Sequence, residues 1–385
     1  MIQNRIFFIL TVVFTMHLAA RPLPTDISQV DKPPTLKVLL VDGAESVYVE
    51  AKGRYHLYNL SNDLLIDSGL FGKKGEMYAL EGGIKWGEHL QQIDAIRIVP
   101  GDSQSTILIN GIEYKGCIDF RALGKNLRII NEIDVESFLS ATLFPKFSEK
   151  LSDEVAEAIS IVARTNAYYF LKKKADSFWH VTAKNAGYLG YALSFHKPFL
   201  DRALERTKEV IMTYQGASFP AFWNENSAGI TTTFSAVFRK EALVPPGVKS
   251  PLAAHDREKH RWAFTLTKER LAQLLHAEKI QGIDLFCDQS SGKVYGLRVK
   301  DGSNDKNIPF IKLQQAIGEK KLQSNDFIIH SKGDSVVFEG YGKGLGMGLC
   351  LYSAARMAER GDKAPKILKT FFPGACITRA SLVSK

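Results

Sequence analysis

The chain changes texture twice along its length. Ile6 to Met16 is almost wholly apolar, broken only by Thr11 and Thr15. Arg5 stands before this run, and Leu18, Ala19 and Ala20 stand between it and Arg21-Pro22. A basic lead, a short apolar run and small residues at its end are the layout of a secretory signal over residues 1–20, and the run is short for a membrane span. An uncleaved anchor is the alternative. Residues 21–35, with Pro22, Pro24, Pro33 and Pro34 among polar residues, read as a linker.

From Leu36 the pattern becomes one of short β-rich runs separated by glycines. Leu36 to Val41, Ser46 to Glu50, Ile96 to Val99, Ser105 to Ile109 and Leu127 to Ile130 alternate or cluster apolar residues in the lengths strands take. Residues 36–133 are therefore expected to be strand-rich and nearly free of helix. Beyond this the period changes. Ser152 is followed by Asp153 and Glu154, a helix start with a hydroxyl to cap and acids at the positive end of the dipole. Val155, Ala158, Ile159, Val162, Ala163 and Phe170 then recur at three- and four-residue steps as far as Lys172–Lys174. Helical texture returns at Phe199 to Met212, Thr267 to His276 and Leu351 to Arg360, with strand-like runs at Val294 to Val299 and Phe327 to His330. Residues 134–380 thus read as a mixed region, and the fold class as α+β.

Composition narrows the partners. The net charge of +9 favours anionic surfaces. Nucleic acid fits the charge, but an exported protein rarely meets it. A cell wall bearing carboxylates fits both the charge and the export signal. The four cysteines are far apart and form no CxxC pair, so four mostly buried thiols are expected, although Cys350 and Cys376 are able to bridge in an oxidising compartment. His255 and His260 are five residues apart, no HExxH occurs, and no metal or cofactor is expected.

Several segments, in order, resemble the SpoIID/LytB family. Asn131 to Leu139 resembles its strand-to-helix motif, and Ala158 to Thr165 its "EALKAQAVAART" stretch. Tyr188-Leu189-Gly190 resembles "Q-x-Y-x-G", and Ala203 to Tyr214 "AVxxTxGxVLxY". Asn226 to Thr231 resembles "STSGGxT", and Arg261-Trp262 supplies the family's tryptophan. Gly342 to Gly348 resembles "GxGHGVGMSQxGA", and Phe371 to Gly374 "YYPG". No one piece is specific; their order is.

The resemblance implies a cell-wall protein with a groove for an extended peptidoglycan glycan strand. The family includes enzymes that cut peptide-stripped strands as lytic transglycosylases, and proteins that stimulate amidases. In such cutting one glutamic acid protonates the glycosidic oxygen and then helps the 6-hydroxyl of muramic acid close on C1, so a single carboxyl suffices. Here the catalytic glutamate's place falls on Lys146. Glu149, three residues on, and Glu225 are the candidate replacement acids, and Thr231 survives as a candidate positioning hydroxyl. Lys146, Tyr188, Trp223, Asn226, Ser227, Gly344 and Gly346 are the candidate substrate-binding residues. Trp262 is a further ring able to stack on sugar, although the core is the expected place for at least two of the three aromatics. The glycine string keeps its glycines but has Leu345 where the family has histidine, Leu349 where it has methionine and Cys350-Leu351 where it has Ser-Gln. No counterpart of the zinc loop of some members occurs near His180 to Gly187. Two readings follow: a glycan cleaver of the envelope, or a catalytically lapsed module that holds glycan and recruits or stimulates an amidase.

Overall fold

The computed structural model describes residues 33–191, 197–302 and 305–382. The segment read as a signal, and nearly all of the linker, lie outside them. The body that begins at Thr35 is α+β.

Strands occupy the first hundred residues of this body without an intervening helix, from Thr35–Ala44 to Asn126–Asp134. They form two antiparallel sheets. In the larger, Thr35–Ala44 pairs with Asn126–Asp134, followed outward by Cys117–Leu123, Ala95–Pro100, Tyr55–Asn59 and the edge strand Leu65–Gly69. One lateral row of this sheet runs Val38, Asn131, Ile118, Ile98, Leu57, Asp67. Alternation explains the packing: Val47, Val49 and Ala51 of Ser46–Lys52 are buried while Ser46, Tyr48 and Lys52 are exposed. A second sheet, built round Ser46–Lys52 and Lys73–Leu80, contributes Val49, Met77, Ile84 and Trp86 to the same core.

Where the last strand ends, Asp134 accepts a hydrogen bond from the Ser137 amide at 2.9 Å and starts the helix Val135–Leu143. The helix Asp153–Lys173 follows and matches the periodic run. Ser152 stands at its N-cap, but its hydroxyl makes no capping bond. The acids Asp153 and Glu154 supply the first-turn charge. Arg164 of this helix is wholly buried, donating to both Glu136 oxygens at 2.7 and 2.8 Å and to the Leu204 and Val210 carbonyls and the Thr207 hydroxyl. The helical texture expected up to Met212 stops earlier. The helix Pro198–Arg206 ends at Thr207, and Val210–Tyr214 is a strand paired with Ala375–Arg379; β-branched Val210 and Ile211 favour that outcome.

Residues 261 to 341 build a second, smaller core. Trp262, Leu271, Val294, Leu297, Phe310, Phe327 and Phe338 pack between two three-stranded sheets and the helices Lys268–Leu275 and Phe310–Ile317. The cysteines correct the expectation of buried thiols. All four are free, but only Cys350 is buried, Cys117 is half-buried, and Cys287 and Cys376 are exposed.

Candidate functional site

The glycine string is the seam between the two cores. The short strand Trp223–Asn224 pairs in parallel with Leu349–Cys350. Isolated bridges join Asn226 to Lys343, Ser324 to Gly344 and Thr232 to Met347. At Gly344, φ is +99° and an added Cβ would stand 3.0 Å from the Asn224 Cβ, so the string lies on the Trp223–Ala228 segment at a distance only glycine permits. A Cβ at Gly346 would meet Lys293 Cε at 3.1 Å and Asn325 Oδ1 at 3.3 Å.

An ion-pair cluster centred on one buried lysine fastens this segment from the side of the smaller core. Lys293, 2% exposed, donates from Nζ to the Ser227 carbonyl and to Asp326 Oδ2, both at 2.7 Å. Arg257 grips both Asp326 oxygens at 2.9 Å and also donates to the Ala228 carbonyl at 2.6 Å. Burial pulls the Lys293 pKa below the usual lysine value, against the opposing pull of Asp326. Asn226 and Ser227 are buried in this seam. Ser227 Oγ, Asn226 Nδ2, Asn224 Oδ1 and both amide atoms of Asn325 find no hydrogen-bond partner among the described residues. Buried polar atoms of this kind are where proteins hold ordered water.

Lys146 approaches the start of that seam from the 3-10 turn Phe144–Lys146, which follows the helix Val135–Leu143. Its Nζ is 5.2 Å from the centroid of the Trp223 ring. It also lies close to Gly187, whose added Cβ would sit 3.7 Å from it. Phe147 flanks the same ring at 6.5 Å between centroids, and Lys197 donates to the Phe147 carbonyl. Lys146 as a residue is exposed, yet the ring and loop beside its amine desolvate it in part and draw its pKa below that of a free lysine. The half-buried Trp223 face and the Lys146 ammonium therefore form one surface, apolar and cationic together.

The other candidates divide. Glu149 is exposed, on the loop before Asp153, with no partner among the described residues. Glu225 is also exposed and is paired with Lys343 at 2.7 Å. Neither sits in an apolar pocket. Thr231 is buried, and its hydroxyl accepts from the Val248 amide at 2.8 Å and donates to the Val248 carbonyl at 3.3 Å. It lines a cavity of about 20 Å³, room for one water and not for a sugar ring. Tyr188 is a core residue whose hydroxyl donates to Asn131 Oδ1 at 2.7 Å, and burial raises its pKa. Trp262 lies in the smaller core. Of the three aromatics, Trp223 alone keeps a half-open face.

Residues 124–214 match the family model described as "SpoIID: Stage II sporulation protein". That segment holds Lys146, Glu149 and Tyr188, while Trp223 and the glycine string lie beyond it. An uncharacterized protein of Chlamydia muridarum is 32% identical over 181 residues, 46% of this chain and 63% of that protein. An uncharacterized protein of Chlamydia pneumoniae is 29% identical over 181 residues, 46% of this chain and 66% of that one. The chain thus spans just under two thirds of the length of these relatives. A Bacillus subtilis protein named amidase enhancer is 22% identical over 345 residues, 74% of this chain and 47% of that protein. The resemblance to the SpoIID/LytB family that the motifs carry is shown by the family model and this relative together.

Proposed function

We propose that this chain is an exported envelope protein that holds peptide-stripped peptidoglycan glycan strands without cutting them. One observation carries the reading: the Lys146 amine, at the position where the family resemblance implies a catalytic glutamate, rests 5.2 Å from the centroid of the Trp223 ring. An ammonium there is a poor acid for a glycosidic oxygen, but a good partner for the lactyl carboxylate of muramic acid, with Trp223 beside it for the C–H face of the sugar. Glu149 and Glu225, both solvated, do not replace the missing acid. The basic net charge supports attraction to the wall. The B. subtilis relative named amidase enhancer supports a second element, in which the bound strand is presented to an amidase. Pelleting of the purified protein with amidase-treated glycan strands tests the reading: retention that depends on Lys146 supports it, and failure to pellet removes it.

A further inference from the structure

We propose that the Leu70–Phe71 turn is a membrane contact, an apolar tip framed by basic side chains that docks on an anionic lipid surface. Phe71 is 91% exposed and Leu70 68%. They stand side by side on the turn between Leu65–Gly69 and Lys73–Leu80, where no core claims them. A solitary exposed leucine needs no explanation, but a phenylalanine held almost wholly in water beside a leucine does.

The neighbourhood of the tip is basic. The Gly72 amide donates to the Gly53 carbonyl at 2.8 Å, which sets the Lys52–Arg54 turn against it, and Lys73 and Lys74 follow directly in sequence. The acids nearby offset part of this charge: Asp67 lies 3.5 Å from Lys73, Asp102 lies 4.0 Å from Arg54, and Glu50 faces Lys74 across the ladder. Lys52 keeps no acidic partner among the described residues. An aromatic and an aliphatic residue at the tip with lysines behind them are the composition of an interfacial anchor on anionic lipid.

The sequence supplies a second support: the chain preceding Thr35 contains the apolar run Ile6 to Met16, read as an export signal that enters the membrane. The inference rests on that export reading and not on glycan binding.

The test places a reporter on the tip of the full chain. Phe71→Trp is mixed with vesicles of phosphatidylglycerol and phosphatidylcholine whose acyl chains carry bromine, with the wild-type protein and its four native tryptophans as background. The expected result is an added, blue-shifted emission that bromolipid quenches, and that Leu70→Ser in the same chain or phosphatidylcholine alone reduces several-fold. Two results would overturn the proposal. One is protein bound to vesicles through its N-terminal segment while the added emission stays unquenched. The other is a blue shift that depends on protein concentration without vesicles, which would assign the tip to a second copy of the chain. Glycan pelleting of the same variant is read separately, so failure of one claim is not mistaken for failure of the other.

Discussion

The Lys146 amine lies 5.2 Å from the centroid of the Trp223 ring, 77 positions later in the chain. The contact joins the turn after the first helix to the strand that opens the glycine seam, and it places a cation where the family resemblance implies an acid. If this surface holds the muramic carboxylate, Lys146→Ala weakens retention on denuded glycan by about fivefold, the scale of a partly desolvated cation contact. Lys146→Glu weakens it further by repulsion. Sedimentation with washed strands at low and high salt reads both, and the loss shrinks as salt rises.

The lowered pKa of Lys146 gives that binding a pH signature. Its charge, and with it the attraction for carboxylate, is present below its pKa and lost as pH rises through a value lower than that of an ordinary lysine. Lys146→Arg keeps the cation at all accessible pH, so its retention stays flat where the wild type declines. A wild-type profile that tracks the arginine variant would rule out charge at this amine as the determinant.

Much of the frame was legible in the sequence, and the reasons are local. The helix Asp153–Lys173 follows from its own apolar steps, and the strands of the first hundred residues from theirs. The end of the next helix at Arg206 was hidden because Ala203 to Met212 holds apolar residues that suit either period, and pairing with Ala375–Arg379 decides it. Lys293, Arg257 and Asp326 carried no signal. They are 33 to 69 positions apart, and a lone lysine in sequence reads as solvent-facing. Thr231 shows the converse: a motif match located the residue, but not the backbone of Val248 that occupies its hydroxyl.

The pair of wholly buried Arg164 with half-buried Glu136 should be a major stabilising contact of the first core. Glu136→Ala leaves a wholly buried guanidinium with three weaker partners, and the expected cost is about 3–5 kcal/mol. Urea unfolding followed by tyrosine and tryptophan fluorescence reads it. A loss below about 1 kcal/mol would mean that the Leu204, Thr207 and Val210 contacts suffice without the carboxylate.

Tyr55 gives an alkaline prediction. Burial, then its hydrogen bond to Asp67 and that carboxylate's charge, push the phenol from 10.0 to about 12. The folded state keeps a proton that the unfolded chain loses. The stabilising effect is therefore complete below about pH 10 and is lost as pH climbs to about 12. Asp67→Asn narrows that window, and ultraviolet titration of the phenolate checks it against the wild type.

The measurement that bears most directly on the central claim is digestion of amidase-treated glycan strands, with products read by mass spectrometry and retention on the same strands read in parallel. Wild type, Lys146→Ala, Glu149→Gln and Glu225→Gln run side by side. The account predicts no anhydro-muramic ends from any of them, retention by wild type and both glutamine variants, and weakened retention by Lys146→Ala. Anhydro-muramic ends from the wild type that vanish with Glu149→Gln or Glu225→Gln would contradict it, and would identify a cutting enzyme and its acid.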